Sequence, residues 1–177
     1  MTQNLRDRIF KTGDHSGFIE LALQIFDYQY NNNVVYQEFA KNLKKLPANI
    51  KSLADLPFLP VEFFRSHRVI SGQRQVQRIF ESSGTTGSLS GRHYLCDTGL
   101  YIDSFLNSFG YYYGDPADYM IAALLPSYTE RENSSLVYMA DYLIRMSKSP
   151  LSGFDPPPVQ ANNKMCTHHN KKASAWG

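Results

Sequence analysis

The side chains that usually build a hydrophobic core stop abruptly at Phe154. Leucine, isoleucine, phenylalanine and tyrosine supply 49 of the first 154 residues and none of the last 23. Three consecutive prolines at positions 156–158 also prevent a helix or a central strand from starting there. We therefore expect one folded unit within residues 1–154, followed by a disordered tail at residues 155–177 that has the look of out-of-frame translation.

Charge is balanced over the part that is expected to fold. Residues 1–154 carry 15 lysines and arginines and 15 aspartates and glutamates, so the net charge of +2 arises in the tail. Nucleic-acid binding needs clustered cations, and we expect no nucleic-acid partner. The longest apolar run, residues 120–125, is too short to span a membrane. Because no signal peptide is recognisable, the predicted location is cytoplasmic.

The first 58 residues are predicted to form a helical N-terminal segment. Apolar residues recur at helical spacing through residues 16–43, with Phe18 on the expected apolar face. Three asparagines at positions 31–33 interrupt the pattern, which predicts two helices, the first capped by Ser16. Prolines farther along then predict an extended connection up to Leu59.

Beyond Gly72, strand-like and helix-like patterns alternate. The predicted strands cover residues 76–80, 93–97 and 119–125, and the predicted helices cover residues 100–112 and 134–146. The third strand is apolar throughout, which is typical of a strand covered on both faces. This order is typical of an α/β sheet, so we predict an α/β fold with a partial α/β domain at residues 59–154.

A run of hydroxyl-bearing and glycine residues lies between the first two predicted strands. The run is Ser82-Ser83-Gly84-Thr85-Thr86-Gly87. Glycines let backbone N–H groups turn inward around an anion, and the four hydroxyls can donate hydrogen bonds to phosphate oxygens. The run is not a Walker A loop, because no Gly-Lys-Ser/Thr follows the glycines. On composition alone, a flexible linker is the alternative interpretation.

The order of these six residues resembles the phosphate loop of the adenylate-forming superfamily of acyl and aryl ligases. Three further segments resemble the acyl-protein synthetases, the bacterial long-chain fatty acid–protein ligases. They are residues 59–64, the pair Arg92-His93 and residues 125–131. The resemblance covers about residues 15–154, and it implies the α/β N-terminal domain of an adenylate-forming enzyme.

The resemblance implies an acid–thiol ligase that works in two steps. A carboxylic acid, here a fatty acid, would be joined to ATP with release of pyrophosphate, leaving an acyl-adenylate. A thiol or another nucleophile would then take the acyl group. ATP and Mg²⁺ are the implied cofactors, and an acyl-transfer protein or a reductase is the implied protein partner. Preorganised hydrogen-bond donors lower such a barrier by stabilising the charge on the departing pyrophosphate.

The resemblance also assigns roles within the loop. Thr85 and Thr86 are the catalytic candidates. The candidate nucleotide-binding residues are Ser82, Ser83, Gly84, Thr85, Thr86 and Gly87. Many superfamily members have a Pro-Lys pair after the loop, where this chain has none. Arg92 is the candidate replacement cation, since a guanidinium can grip phosphate oxygens, although an ordinary exposed arginine is the alternative.

Two further residues are candidates for contact with the acid substrate. Tyr128 could wall an acyl pocket, or it could belong to a polar turn before a helix capped by Asn133. His93 could contact a phosphate or position the carboxylate, or it could be an ordinary packed strand residue. No metal site is predicted, because Cys166, His168 and His169 lack the spacing of a structural zinc site.

Several motifs of the superfamily are missing from the chain. They are the aromatic-Gly-x-Thr-Glu segment for adenine and magnesium, the ribose aspartate, the catalytic lysine and the acceptor cysteine of the family. We therefore expect an incomplete N-terminal copy that is inactive in complete acyl transfer by itself. Two other classes stay open: a non-catalytic nucleotide- or phosphate-binding remnant, and an acyltransferase that uses a preactivated donor such as coenzyme A.

Overall fold

The computed structural model describes residues 3–11, 13–82, 90–124 and 132–154. Within them, the α-helices are α1 (Gln3–Ile9), α2 (His15–Asn32), α3 (Val34–Asn42), α4 (Phe63–Ser66), α5 (Thr98–Tyr112) and α6 (Ser135–Met146). The strands are β1 (Arg78–Glu81), β2 (Arg92–Leu95), β3 (Ala122–Ala123) and β4 (Gly153–Phe154). This combination is a mixed α/β fold. The predicted tail lies outside the described residues.

Asn33 separates α2 from α3, which confirms that residues 16–43 form two helices and not one. Its backbone N–H donates to the Gln29 carbonyl at 2.8 Å, and its side-chain oxygen accepts from the Tyr36 N–H at 3.1 Å. One buried asparagine thus ends α2 and caps α3. The predicted cap of the first helix, Ser16, is wrong. Asp14 caps α2 by accepting from the Gly17 N–H at 2.7 Å, because the helix begins one residue before Ser16.

The core of the N-terminal segment forms where α3 packs against the second half of α2. Its buried members are Phe26, Tyr30, Tyr36 and Ala40. Phe18 does not belong to this core and is 51% exposed, so the predicted apolar face is wrong at that position. Apolar residues occur around much of the circumference of α2. Which of them are buried is therefore decided by the position of α3 and not by their spacing along α2.

The connection from α3 to the strands is more helical than its prolines predicted. Two single 3-10 turns, Pro47–Asn49 and Leu53–Asp55, interrupt it, and α4 follows. Pro47 occupies the first position of its turn, where the fixed φ of proline favours a helical backbone. At the second turn, Asp55 accepts from the Ser52 N–H at 3.1 Å. Local turn chemistry therefore overrides the extended conformation that was expected here.

Strands β1 and β2 form an antiparallel hairpin, which confirms the first two predicted strands with shifted ends. In its register Glu81 faces Arg92 and Phe80 faces His93. The Phe80 ring is buried and packs against Tyr101 of α5 and Tyr138 of α6, with centroid distances of 5.1 and 5.6 Å. The two helices thus cover one face of the hairpin.

The predicted buried strand at residues 119–125 is wrong in length and in burial. Only β3 forms there, pairing in parallel with β4, and Leu124 is 84% exposed. Serine side chains bind much of the remaining backbone: Ser147 Oγ donates to the Tyr119 carbonyl, and Ser152 Oγ accepts from the Ile121 N–H. The described residues therefore contain two separate two-stranded sheets in place of the single sheet that was expected.

None of the helices in the described ranges is both long and apolar enough to cross a membrane. The longest of them, α2, carries charged residues at Glu20 and Asp27. It packs against α1 and α3, which cover part of its surface.

Candidate functional site

Three of the predicted site residues lie in the described part of the chain: Ser82, Arg92 and His93. The other predicted site residues lie outside the described residues, and they are Ser83, Gly84, Thr85, Thr86, Gly87 and Tyr128. Ser82 and residues 90–92 flank the hydroxyl- and glycine-rich run in the described fold.

A reciprocal pair of hydrogen bonds closes the base of the loop. The Ser82 N–H donates to the Gly91 carbonyl, and the Gly91 N–H donates to Ser82 Oγ, both at 2.9 Å. A Cβ at position 91 would lie 3.3 Å from Ser82 Oγ and 3.6 Å from Arg65 Cγ, so the site is already close-packed. Because Ser82 uses its oxygen as an acceptor here, its O–H proton stays available for a further acceptor.

Arg92 directly follows Gly91 and pairs with Glu81 on the opposite strand of the hairpin. Its Nε donates to Glu81 Oε1 at 3.0 Å, and its side chain is 59% exposed. Hydrogen bonding to Tyr94 and to Glu81 raises the pKa of the Arg92 guanidinium. The ion pair orients the guanidinium through Nε, and those N–H groups that neither Glu81 nor Tyr94 engages can donate to an anion. The hairpin register thus places a permanent cation at the mouth of the loop.

His93 follows Arg92 on the strand and contacts α4. Its imidazole meets the Phe64 ring edge-to-face at a centroid distance of 5.7 Å. Although the residue keeps substantial solvent exposure, partial desolvation by its neighbours lowers the pKa of the imidazole. At neutral pH the ring is therefore uncharged, with one nitrogen that donates and one that accepts. Such a ring can position a carboxylate through its N–H without adding a charge.

The chain directly after residues 125–131, which also carry the family resemblance, contacts the same end of the hairpin. The Glu81 N–H donates to the Asn133 carbonyl at 2.8 Å, just after residues 125–131. The predicted helix cap, Asn133, is wrong: the Ser134 side chain accepts from the Val137 N–H and caps α6. Asn133 instead contributes its carbonyl to this link. The ends of the two segments are thus neighbours in the fold, although 51 residues lie between Glu81 and Asn133 in the chain.

A cleft of about 530 Å³ opens between α2, the connecting region, the hairpin and α5. His93 belongs to its wall. Aromatic rings form much of the rest, and they are Tyr28, Tyr36, Phe64, Tyr94 and Tyr101. Sequence reasoning missed this cleft, because its wall comes from positions 25–104 and no local signal marks them as neighbours. A larger groove of about 710 Å³ along α1 and α2 contains none of the predicted site residues.

Arginines concentrate around the cleft and the loop base. Positions 63–96 contain five arginines, no lysine and a single carboxylate, Glu81. The arginines are Arg65, Arg68, Arg74, Arg78 and Arg92. Arg78 stacks on Tyr138 away from the cleft, and Arg74 faces Asp97 of the cleft wall, so Arg65, Arg68 and Arg92 are the arginines of this segment that favour an anionic ligand at the hairpin.

Among the described residues, no three histidine, cysteine, aspartate or glutamate side chains are grouped so that they could hold a metal ion. Glu81 is the carboxylate at the loop base, and it is engaged by Arg92. A magnesium ligand set therefore cannot be assigned to these residues.

Comparison with known proteins adds no relative. Neither family models, nor curated proteins, nor solved structures match the chain. The resemblance to acyl-protein synthetases thus depends on the motif residues themselves. The site is a hairpin that holds a serine-, threonine- and glycine-rich loop, with a cation at its base and an aromatic cleft beside it.

Proposed function

We propose that this chain carries the phosphate-binding part of an enzyme that activates a carboxylic acid with ATP. The observation that supports the proposal most is the closed loop base, where the Ser82–Gly91 pair holds the ends of the hydroxyl-rich run together beside Arg92. A hairpin fixed in this way presents its loop at the end of a rigid element, which is what preorganised donors require.

The proposed first step joins the acid to the nucleotide. A carboxylate oxygen attacks the α-phosphorus of ATP, the bond from that phosphorus to the bridging oxygen breaks, and pyrophosphate leaves with the electron pair. The acyl-adenylate that remains then transfers its acyl group to a thiol, and AMP leaves. Hydroxyls of Thr85 and Thr86 donate to the departing pyrophosphate, and Arg92 adds charge next to it.

The remaining roles follow from the residues around the loop. The neutral imidazole of His93 positions the carboxylate, and Tyr128 contributes to the wall of the acyl pocket. Mg²⁺, when bound with ATP, supplies further neutralisation of phosphate charge. A cytoplasmic location and an acyl-transfer protein or reductase as partner belong to the same proposal.

The test begins with pyrophosphate, because the chain carries the loop itself. We expect calorimetry to show that the 177-residue chain binds pyrophosphate and that Thr85→Ala with Thr86→Ala weakens binding about tenfold or more. Ser88→Ala, a hydroxyl deletion in the same segment but outside the six-residue run, serves as the matched control and should bind as the wild type does. Equal affinities in all three proteins would falsify the role of the loop.

The catalytic part of the proposal needs a second measurement. In a protein that joins this chain to the adenine and lysine segments that the resemblance implies, exchange of labelled pyrophosphate into ATP should depend on added carboxylic acid. Loss of one threonine should reduce its rate roughly 10²–10³-fold, mainly in kcat. Pyrophosphate binding without acid-dependent exchange would favour the phosphate-binding remnant. Acyl transfer from a coenzyme A thioester without ATP would favour the acyltransferase.

A further inference from the structure

We propose that the cleft between α2 and the β1–β2 hairpin binds the acid substrate, and that this acid is an aromatic carboxylic acid. What happens to the bound acid rests on the proposed function, whereas binding in the cleft can be tested without it. It departs from the fatty acid that the family resemblance implies, because the wall of the cleft and the charge beside it favour a different ligand.

The wall favours a ligand with a ring. Rings reach the cleft from five elements: α2, α3, α4, β2 and α5. Aromatic pairs in edge-to-face or offset geometry gain favourable interaction beyond the area they bury, which a flexible alkyl chain does not gain. The volume of about 530 Å³ lies within the range of pockets that take compact small molecules.

Arg68 lies beside the cleft, outside its wall, and supplies the charge that a carboxylate needs. Its guanidinium lies 5.4 Å from the centre of the Tyr94 ring, and that ring lines the cleft. Among the described residues, no carboxylate lies within 4 Å of Arg68. Within the wall itself, Arg74 and Asp97 face each other at 3.8 Å. A cation held by a ring and without a carboxylate neighbour is the natural partner for a ligand carboxylate.

The cleft also leads toward the loop. His93 lines it, and the neighbouring Arg92 pairs with Glu81 at the loop base. Phe64 links the same two places, because its ring contacts His93 and its carbonyl lies 3.9 Å from where a Cβ of residue 91 would be. An acid in the cleft would therefore have its reacting end beside the hairpin that carries the candidate phosphate loop.

The test measures ligand binding to the 177-residue chain by calorimetry in the absence of ATP. The probe is 3-phenylpropionate. Its neutral amide tests the charge, and nonanoate, an unbranched acid with the same number of carbon atoms, tests the ring. We expect 3-phenylpropionate to bind about tenfold more tightly than either comparison compound. Binding of nonanoate as tight as that of the aromatic acid would overturn the assignment of an aromatic substrate.

Two pairs of variants locate the binding site. Ser104→Trp fills the cleft from α5 and should abolish binding, while Ser108→Trp, one turn along the same helix and outside the cleft wall, should leave it unchanged. Arg68→Gln should weaken binding about tenfold. Arg78→Gln, which removes an arginine stacked on Tyr138 away from the cleft, should have no effect. Because Arg68 is exposed, its variant is informative even if Ser104→Trp lowers stability.

The outcomes separate this inference from the proposed function. If the aromatic acid binds with this pattern but no acid promotes pyrophosphate exchange, the cleft assignment holds and the ligase proposal fails. If exchange depends on an acid but Ser104→Trp changes neither its rate nor its KM, the cleft assignment fails and the ligase proposal holds. No binding of any of the three probes to the wild-type chain also overturns the inference.

Discussion

At the scale of single residues, His93 combines two properties that rarely coincide. Its side chain is accessible enough to meet a ligand, while desolvation by its neighbours keeps the pKa of the imidazole below the ordinary value. An uncharged imidazole can donate one hydrogen bond and accept another, which is what the proposed positioning of a carboxylate by His93 requires.

The lowered pKa of His93 makes stability depend on pH in a defined direction. The unfolded chain takes up a proton near the ordinary histidine value, about 6.5, while the folded chain takes it up only at lower pH. Stability due to this group is therefore complete above pH 6.5 and is lost as the pH falls through the folded pKa. We expect His93→Gln to reduce the slope of the unfolding free energy against pH in that window.

Urea denaturation of the wild type and of His93→Gln at several pH values between 5 and 8 measures this slope. The difference between the two proteins should be small above pH 7 and should grow as the pH falls, with the variant becoming relatively more stable. Parallel curves for the two proteins across the whole range would show that His93 titrates alike in the folded and unfolded states.

At the scale of elements, one carboxylate connects the start of the chain to the second half of the fold. Asp97 caps α5 by accepting from the Leu100 N–H at 3.2 Å, and it also accepts from Arg6 of α1 at 2.9 Å. Arg6 donates in addition to Asp103 at 2.9 Å. A Cβ at position 99 would lie only 2.7 Å from Arg6 Nη2, so the glycine there leaves room for the guanidinium.

This arrangement predicts that Arg6→Gln releases α1 from α5. The amides of α1 should exchange with solvent several-fold faster, while the amides of α6 should be little affected, because local opening follows the loss of local contacts. Arg8→Gln is the matched control on the same helix. Arg8 pairs with the more exposed Glu20 of α2 at 3.3 Å, so its loss should have a smaller effect. Equal effects of the two variants would contradict the role of Arg6.

Elements were predictable from the sequence where local chemistry decides them, and unpredictable where distant residues do. Asparagine at position 33 marks a helix break by itself, and the alternation around the loop marks two strands. The prediction of a long strand at residues 119–125 failed because Ser147 and Ser152, whose side chains bind the backbone of Tyr119 and Ile121, lie far along the chain. The loop residues were recognisable as a motif, whereas the cleft and the Glu81–Arg92 pair depend on tertiary packing and hairpin register.

At the scale of the whole molecule, several large apolar side chains are exposed in the described residues, and three of the most exposed lie near β3 or at the end of α5. Tyr111 and Tyr112, at the end of α5, are 83% and 75% exposed, and Leu124, directly after β3, is 84% exposed. The adjoining sheet has only two strands, so its outer backbone groups lack strand partners in the described fold. Exposed large apolar residues next to unpaired strand edges promote association between molecules.

We therefore expect the 177-residue chain to self-associate as its concentration rises, and Leu124→Lys to reduce that association without lowering stability. A charge beside an open strand edge opposes pairing with another edge, and the exposed leucine contributes little packing that could be lost. Light scattering across a concentration series measures the association, and urea denaturation checks the fold. Phe18→Lys, at a 51% exposed position of α2 away from any strand, is the control and should leave the association unchanged. If the wild type stays monomeric at high concentration, or if both lysine variants act equally, the edge at β3 is not the surface that drives association.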